Sequence, residues 1–289
     1  MNTKSGLRAG FSACMSTVPT RLSWSLFRFR HFSASHQLPR APQFRFRRMI
    51  KIMQGVIDRR ILVNYRLDPE CVSNILPPPF SPRLFGGYAL GGICLIRFID
   101  MRPTWLPKLF GTSSENGTHR FCVEWTVDGN RHTGIYVKQR FTNSRLHAFG
   151  GGKVFPGNLT FSKFNVDETE NSYHVSFTTN DDSVDVLVDE GNAAFPSDSV
   201  FSTIEEASEF FERDNVGYSP SSDGTKGTHQ GVKLNTTNWK VSPLNVIKAS
   251  SSMFSNESIF PCGSAQIDHS LLMKDIDHDW EVVDEVCCP

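Results

Sequence analysis

The chain reads as a mainly β protein of the α+β class, an antiparallel, barrel-like or cone-like sheet with a few peripheral helices. Three observations predict it. Apolar and polar residues alternate in many short runs, turn signals separate several of those runs, and one segment carries a longer helical period. The clearest unit spans residues 119–164. Its first half alternates on either side of Asp128-Gly129-Asn130, a hairpin with an Asp-Gly turn.

The elements follow in order. Residues 58–67 form a strand with Ile61, Val63 and Tyr65 on one face. Asp68 caps a short helix with Pro69 at its first position, and Pro77-Pro78-Pro79 stops it. Residues 87–99 are a glycine-rich, then apolar strand, and the proline-containing loop 102–116 is long enough to lie over a pocket mouth. After the hairpin, Gly150 to Gly152 cannot be a good strand interior, so they let backbone approach backbone or a ligand closely. Strands follow at 172–179 and 183–188 around Asn180-Asp181-Asp182. Ser202-Thr203-Ile204-Glu205 reads as a capping box opening a helix over 202–213, with Ile204, Ala207, Phe210 and Phe211 as its core face. Residues 220–228 are a Ser/Gly-rich loop, strands are expected near 231–241, 244–250 and 264–272, and residues 275–285 are acidic and expected to be solvated. The domain is placed at 49–280, with 281–289 as a tail.

At 289 residues the chain can bury a substantial core, and 39% hydrophobic with 21% charged residues fits a globular protein. The formal net charge of zero averages unlike parts. Residues 1–57 hold ten Lys or Arg and no acid, leaving 20 basic against 30 acidic residues in the remaining 232. An acidic domain offers no footprint for nucleic acid, so that partner is excluded as a main function. Residues 1–48, rich in Arg, Ser and Phe, have the composition of a transit peptide, and Arg30-His31-Phe32-Ser33 matches a matrix-protease cleavage pattern. They predict the mitochondrial matrix if translation begins at Met1, and the cytoplasm if it begins at Met49. Seven cysteines without paired metal spacing read as reduced thiols, Cys287-Cys288 lies in the tail, and no apolar run reaches the roughly 20 residues of a membrane span. Asp277-His278-Asp279 projects to opposite faces of an extended chain, so no metal is expected there, and Gly150-Gly151-Gly152-Lys153 lacks the leading glycine and the following Ser/Thr of a phosphate-cradling loop, so no cofactor is expected.

A family resemblance emerges from the order of several short motifs. These are Arg59-Arg60-Ile61-Leu62-Val63-Asn64-Tyr65, Leu76-Pro77-Pro78, Ser113-Ser114-Glu115-Asn116, Thr133-Gly134-Ile135-Tyr136, the glycine-rich segment, Phe155-Pro156 and Asn238-Trp239-Lys240. The series resembles the acetoacetate decarboxylase-like superfamily, and more closely its branch known as domain of unknown function 2071. The resemblance implies a closed mixed β-barrel with a site inside. In acetoacetate decarboxylase a lysine beside a second cationic group forms a Schiff base with the ketone substrate. In the family that lysine pair directly follows a Phe-Pro. Here Phe155-Pro156 is followed by Gly157-Asn158, neither of which can form an imine. Lys153 is four residues away, roughly 13 Å along an extended strand, and Lys163 is farther; both read as solvated.

Other candidates remain. Glu115 resembles the carboxylate that orients substrate in the family, with Glu124 competing for that alignment, and both are candidates for acid–base work. Arg120 and Arg145 suit a carboxylate, His119 and His147 suit proton transfer, and Tyr136 and Phe155 suit pocket walls. Two functions follow. One is a small-molecule protein for an organic acid or oxo compound, binding it or acting on it as a lyase- or isomerase-type acid–base enzyme without a Schiff-base lysine. The other is a structural or protein-interaction module with a packed barrel interior. Homo-oligomerisation is left open by either.

Overall fold

The computed structural model describes residues 50–287. Residues 1–49, with the segment read as a transit peptide, and Cys288 and Pro289 lie outside them.

Strand β1 (Ile52–Leu67) is followed by helix α1 (Pro69–Ile75), two short strands β2 (Ser81–Pro82) and β3 (Leu84–Phe85), and β4 (Tyr88–Pro103). A single 3-10 turn, Lys108–Phe110, leads to β5 (Thr112–Val127), β6 (Asn130–Tyr136) and β7 (Arg140–Thr142). Helix α2 (Arg145–Gly150) then precedes β8 (Leu159–Phe161), β9 (Lys163–Glu168), β10 (Ser172–Thr178) and β11 (Ser183–Asp189). Helix α3 (Ile204–Arg213) and strands β12 (Val216–Pro220), β13 (Thr228–Thr236), β14 (Ser242–Ser251) and β15 (Ala265–Cys287) complete the described chain.

Seven strands run in the order β1-β4-β5-β6-β12-β13-β15, and β15 pairs back onto β1 from Leu67↔Ala265 to Ile52↔Glu281, so the ring closes. Within it β6 and β12 are parallel and the remaining neighbours antiparallel, the mixed barrel that the resemblance implies. From β15 the sheet continues through β14, β11 and β10 to β9. This extension packs on one face of the ring. Ile61, Val63 and Tyr65 of β1 and Phe121 of β5 share an apolar cluster there with Val175, Phe177, Val184 and Val186. A second cluster on the opposite face joins Leu62, Cys94, Ile96 and Cys122 to Phe210 and Phe211 of α3. The period of two in β1, β4 and β5 creates the division, because successive side chains leave a strand on opposite sides.

Local chemistry matches the sequence at several ends. The Asp68 carboxylate accepts from the amides of Glu70 and Cys71 and Pro69 opens α1. Asp128 and Gly129 both take positive φ, 49° and 78°, in the turn that joins β5 to β6. Helix α3 starts later than expected. Thr203, not Ser202, is the cap, and Glu206 accepts from the Ser202 amide, so the capping box is shifted by one residue.

Two further expectations are corrected. The acidic end is not a solvated tail: β15 runs to Cys287, burying Ile276 and His278 while its acids face outward. Residues 145–150, where no helix was expected and where Gly150 was read with the glycines as a close backbone approach, form α2, capped by Ser144, and Gly151 ends it where a Cβ would meet the Gly157 carbonyl. Cys71, Cys94, Cys122, Cys262 and Cys287 are free thiols; burial pushes Cys122 up to about 12 and leaves it protonated. Among the described residues no helix is long and apolar enough to cross a membrane.

Candidate functional site

The alternation of β5 sets the geometry of the site. Thr112, Asn116, Thr118 and Arg120 face a cavity of about 470 Å³, whereas Glu115, His119 and Phe121 between them face the second sheet layer. From β1 the cavity receives Met53 and Arg60, and from β4 Ile96, Phe98 and Arg102. Leu106 and Phe110 from the loop, Leu146 and His147 from α2, and Phe155 and Pro156 close one side; Phe211 and Asp214, Trp239 and Trp280 close the other. The walls are predominantly apolar, with a few polar groups that converge, the composition of a ligand site.

Four guanidinium groups stand in those walls: Arg60, Arg102, Arg120 and Arg140. Arg120 is buried, donates to Asn64 Oδ1 and lies 4.7 Å from the Phe211 ring centroid. Burial pushes its pKa down, though a guanidinium remains charged at neutral pH. Arg140 is likewise lowered by burial, to about 10, and donates to Ser219 at 2.5 Å. Among the described residues Arg60 reaches only the Met273 sulfur, at 3.8 Å, and the Trp239 face, at 5.9 Å. The Nε of Arg60, Arg102 and Arg120 is buried without a hydrogen-bond partner. Among the described residues none of the four is in a salt bridge, and the one cavity carboxylate, Asp214, pairs with Arg83 at 2.5 Å. Burial raises Asp214 despite that partner.

A buried chain orients Arg120. Burial lowers His269, leaving the ring neutral; with Nδ1 donating to Asp268 at 2.6 Å, its Nε2 accepts from Asn64 Nδ2 at 2.9 Å. Asn64 is thereby turned with its oxygen toward Arg120. Ser199 donates at 2.6 Å to the same oxygen, Oδ2, and the Val200 amide donates at 3.0 Å to Oδ1 of Asp268.

His147 has a comparable setting. Thr112 donates its hydroxyl to the Met101 carbonyl at 3.1 Å, so at 2.8 Å it accepts from His147 Nε2. Nδ1 is then the acceptor, facing Ser114 Oγ at 3.1 Å, while Asn116 donates to the same oxygen at 2.9 Å. Burial keeps His147 below its ordinary pKa, as a neutral base at the cavity wall.

Of the residues singled out from sequence, Arg120, His147 and Phe155 come together at the cavity. The others do not join its walls. Glu115 binds Arg59 at 2.6 Å and Arg97, and Glu168 lies 2.8 Å from each of those arginines, in a buried cluster on the opposite face of the strand. There burial alone would lower Arg97, but Glu115 and Glu168 raise it. Glu124 is bound to Arg131 at the outer end of the hairpin. Arg145 is exposed over the Phe161 ring, 5.1 Å from its centroid. His119 contacts Ser251 at 2.8 Å and Asp182 at 3.2 Å. Tyr136, its phenol pushed up to about 12 by burial, packs on Phe80 while its neighbours Ile135 and Val137 line the cavity.

The arginines 60, 102 and 140 were not among the sequence candidates. For Arg60 a signal existed: it shares parity with Leu62 and Asn64, so a strand that buries those two buries it as well. Arg140, on a three-residue strand, had none.

The place after Phe155-Pro156 is informative. Gly157 has φ of 99°, and a Cβ there would run into the Arg140 guanidinium. At Gly157, the position after Phe155-Pro156, the chain has bare backbone against the Arg140 guanidinium. Lys153 turns away onto the Phe149 ring, 4.0 Å from its centroid, and no lysine is among the cavity walls of the described residues. Nor does any group of three or more His, Cys, Asp or Glu among the described residues have the geometry for a metal ion.

Comparison with known proteins agrees with the architecture. The model for domain of unknown function 2071, an uncharacterised conserved protein, matches residues 57–272. The structure is similar to acetoacetate decarboxylase from Legionella pneumophila subsp. pneumophila str. Philadelphia 1, at 14% identity, covering 82% of this chain and 88% of that one with a TM-score of 0.52. It is also similar to an acetoacetate decarboxylase-like enzyme from Sphingomonas wittichii RW1, at 8% identity, 83% and 93% coverage and a TM-score of 0.50. No curated protein matches the chain by sequence. At such identities the structural likeness speaks for the fold alone. With a family match over most of its length, the chain belongs to the family of domain of unknown function 2071, and its barrel has the fold of the acetoacetate decarboxylases it resembles.

Proposed function

We propose that the protein binds an organic acid or oxo acid with an apolar body, its carboxylate held by arginine and no imine formed. One observation carries this reading: Arg60, Arg102, Arg120 and Arg140 line an apolar cavity with no carboxylate in a salt bridge to any of them among the described residues. An isolated buried cation is costly, and an anion entering such a site makes charge-assisted, bidentate hydrogen bonds in a low-dielectric setting. The apolar walls would take the remainder of the molecule. A cavity of about 470 Å³ supports this reading over a module with a packed interior.

If the bound acid reacts, by hydration, dehydration or enolisation, the acid–base role falls to His147 rather than to Glu115 or Glu124. His147 is at the wall and neutral, and its Nε2 proton points to the cavity-lining Thr112 hydroxyl, so proton exchange with a ligand requires this pair to open, whereas both glutamates are engaged with arginines away from the cavity.

Thermal-shift measurements on the full chain test the binding claim, with pyruvate, acetoacetate and longer alkanoic or aromatic acids as probes. Binding at 100 times Kd adds about 2.7 kcal/mol to apparent stability. The shift should disappear in Arg120→Ala and shrink in Arg60→Met. An acid that shifts all three proteins equally, or a covalent mass adduct after acetoacetate and borohydride, would overturn the reading.

A further inference from the structure

The cavity opens where its wall residues are exposed, at Phe110, Leu146 and Val154, which retain 58%, 64% and 42% of their accessible surface. Beside them stand Trp105, Leu109 and Phe149, 70%, 89% and 70% exposed. Two segments contribute all six, the loop after β4 and the α2 turn, and the Thr112–His147 hydrogen bond of 2.8 Å ties these segments together. A concentration of large apolar side chains on one rim marks an interaction surface.

Its charge indicates what kind. Residues 101–112 and 143–158 contain Arg102, Lys108, Arg145 and Lys153 and no Asp or Glu, in a domain whose remainder is acidic. Lys108 is paired with Asp100 at 3.1 Å but is itself 74% exposed, so that contact restrains it little. A second copy packed symmetrically on this rim would set basic groups against their own equivalents. We propose that the rim docks on an anionic lipid surface and sets the mouth of the cavity against the bilayer. Trp105, Leu109 and Phe149 enter the interfacial region, where aromatic and aliphatic side chains are favoured, and Lys108, Arg145 and Lys153 meet the anionic headgroups. The docking depends on the rim and not on what fills the cavity.

Vesicle sedimentation of the full chain tests it, with phosphatidylcholine vesicles compared with equal mixtures of phosphatidylcholine and phosphatidylglycerol. The double variant Leu109→Asp/Phe149→Asp changes two exposed side chains that do not line the cavity, and the basic segment 1–48 is common to both proteins. The variant should bind the mixed vesicles at least about tenfold more weakly, since burying each side chain is worth about 1.5–3 kcal/mol, with an unchanged melting temperature. Lys108→Glu/Lys153→Glu, which leaves the apolar residues in place, should weaken binding to the mixed vesicles only. Equal binding by parent and both variants, or parent binding that ignores phosphatidylglycerol, overturns the proposal. So does a parent that sediments as a dimer and a Leu109→Asp/Phe149→Asp variant that sediments as a monomer, because a second copy would then occupy the rim.

Discussion

Two arginine-rich regions lie back to back across β5, and they are built on opposite principles. On one face Arg59 and Arg97 are matched by Glu115 and Glu168, with Asp58 at 3.3 Å from Arg97, so cation and anion answer one another. On the other face Arg60, Arg102, Arg120 and Arg140 look into the cavity with no salt bridge among the described residues; Asp214, the one carboxylate there, acts on Arg120 only at a distance and pairs with Arg83. Residues adjacent in sequence, Arg59 and Arg60, belong to different regions because the strand sends them to different sides. Compensated charge belongs to the framework; uncompensated charge is what a ligand can use.

The contrast can be broken in four ways. Glu115→Gln removes one of the two carboxylates that bridge Arg59 and Arg97 and leaves Glu168 alone between them. It should cost about 3 kcal/mol of unfolding free energy in urea while acid binding in the cavity is kept. Acid should reach the cavity side before the carboxylates. His278, buried against Phe98 and Trp280, is held at about 4 by loss of solvation, against an ordinary 6.5. The unfolded chain takes up this proton below about 6.5 and the native chain only near 4, so the stability is complete above 6.5 and falls as pH drops toward 4, by about 3 kcal/mol. Chemical unfolding at pH 7 and pH 5 should show the loss, and His278→Phe should flatten it.

Arg60→Met is the counterpart on the unmatched face. It removes a charge whose hydrogen bonds go no further than a sulfur, so the empty protein should gain up to about 1 kcal/mol in thermal unfolding while its affinity for acids drops. The smallest effect is expected at the hairpin end, where Arg131 is 64% exposed: Glu124→Gln should change stability by less than about 0.5 kcal/mol.

Much of the fold was legible where the signal is local. Alternation drew β5, β6, β10 and β11, Asp128-Gly129 drew the turn, and Asp68-Pro69 drew the start of α1, because each rests on neighbours in the chain. Closure of the ring was not legible, since the β1–β15 pairing joins residues more than 190 positions apart and follows no local rule. The extent of β15 was visible and overlooked: Ile276, His278 and Trp280 alternate with acids, but the count of acids suggested solvent. The site was partly legible in the same way. Glu115 and Arg120 are five residues apart on β5, which sends them to opposite faces, but reading 102–116 as a loop hid that they share a strand. What separates a matched arginine from an unmatched one is decided by other strands, and only the folded chain shows it.

The backbone at Gly157, more than its closeness to Arg140, decides whether an amine could be installed at that position. A side chain at 157 meets the tip of the guanidinium, a flexible group that can swing aside, but the left-handed backbone strains every L residue that bears a Cβ. An engineer wanting a nucleophile after Pro156 would therefore have to rebuild the turn itself, because shortening residue 140 leaves that strain in place.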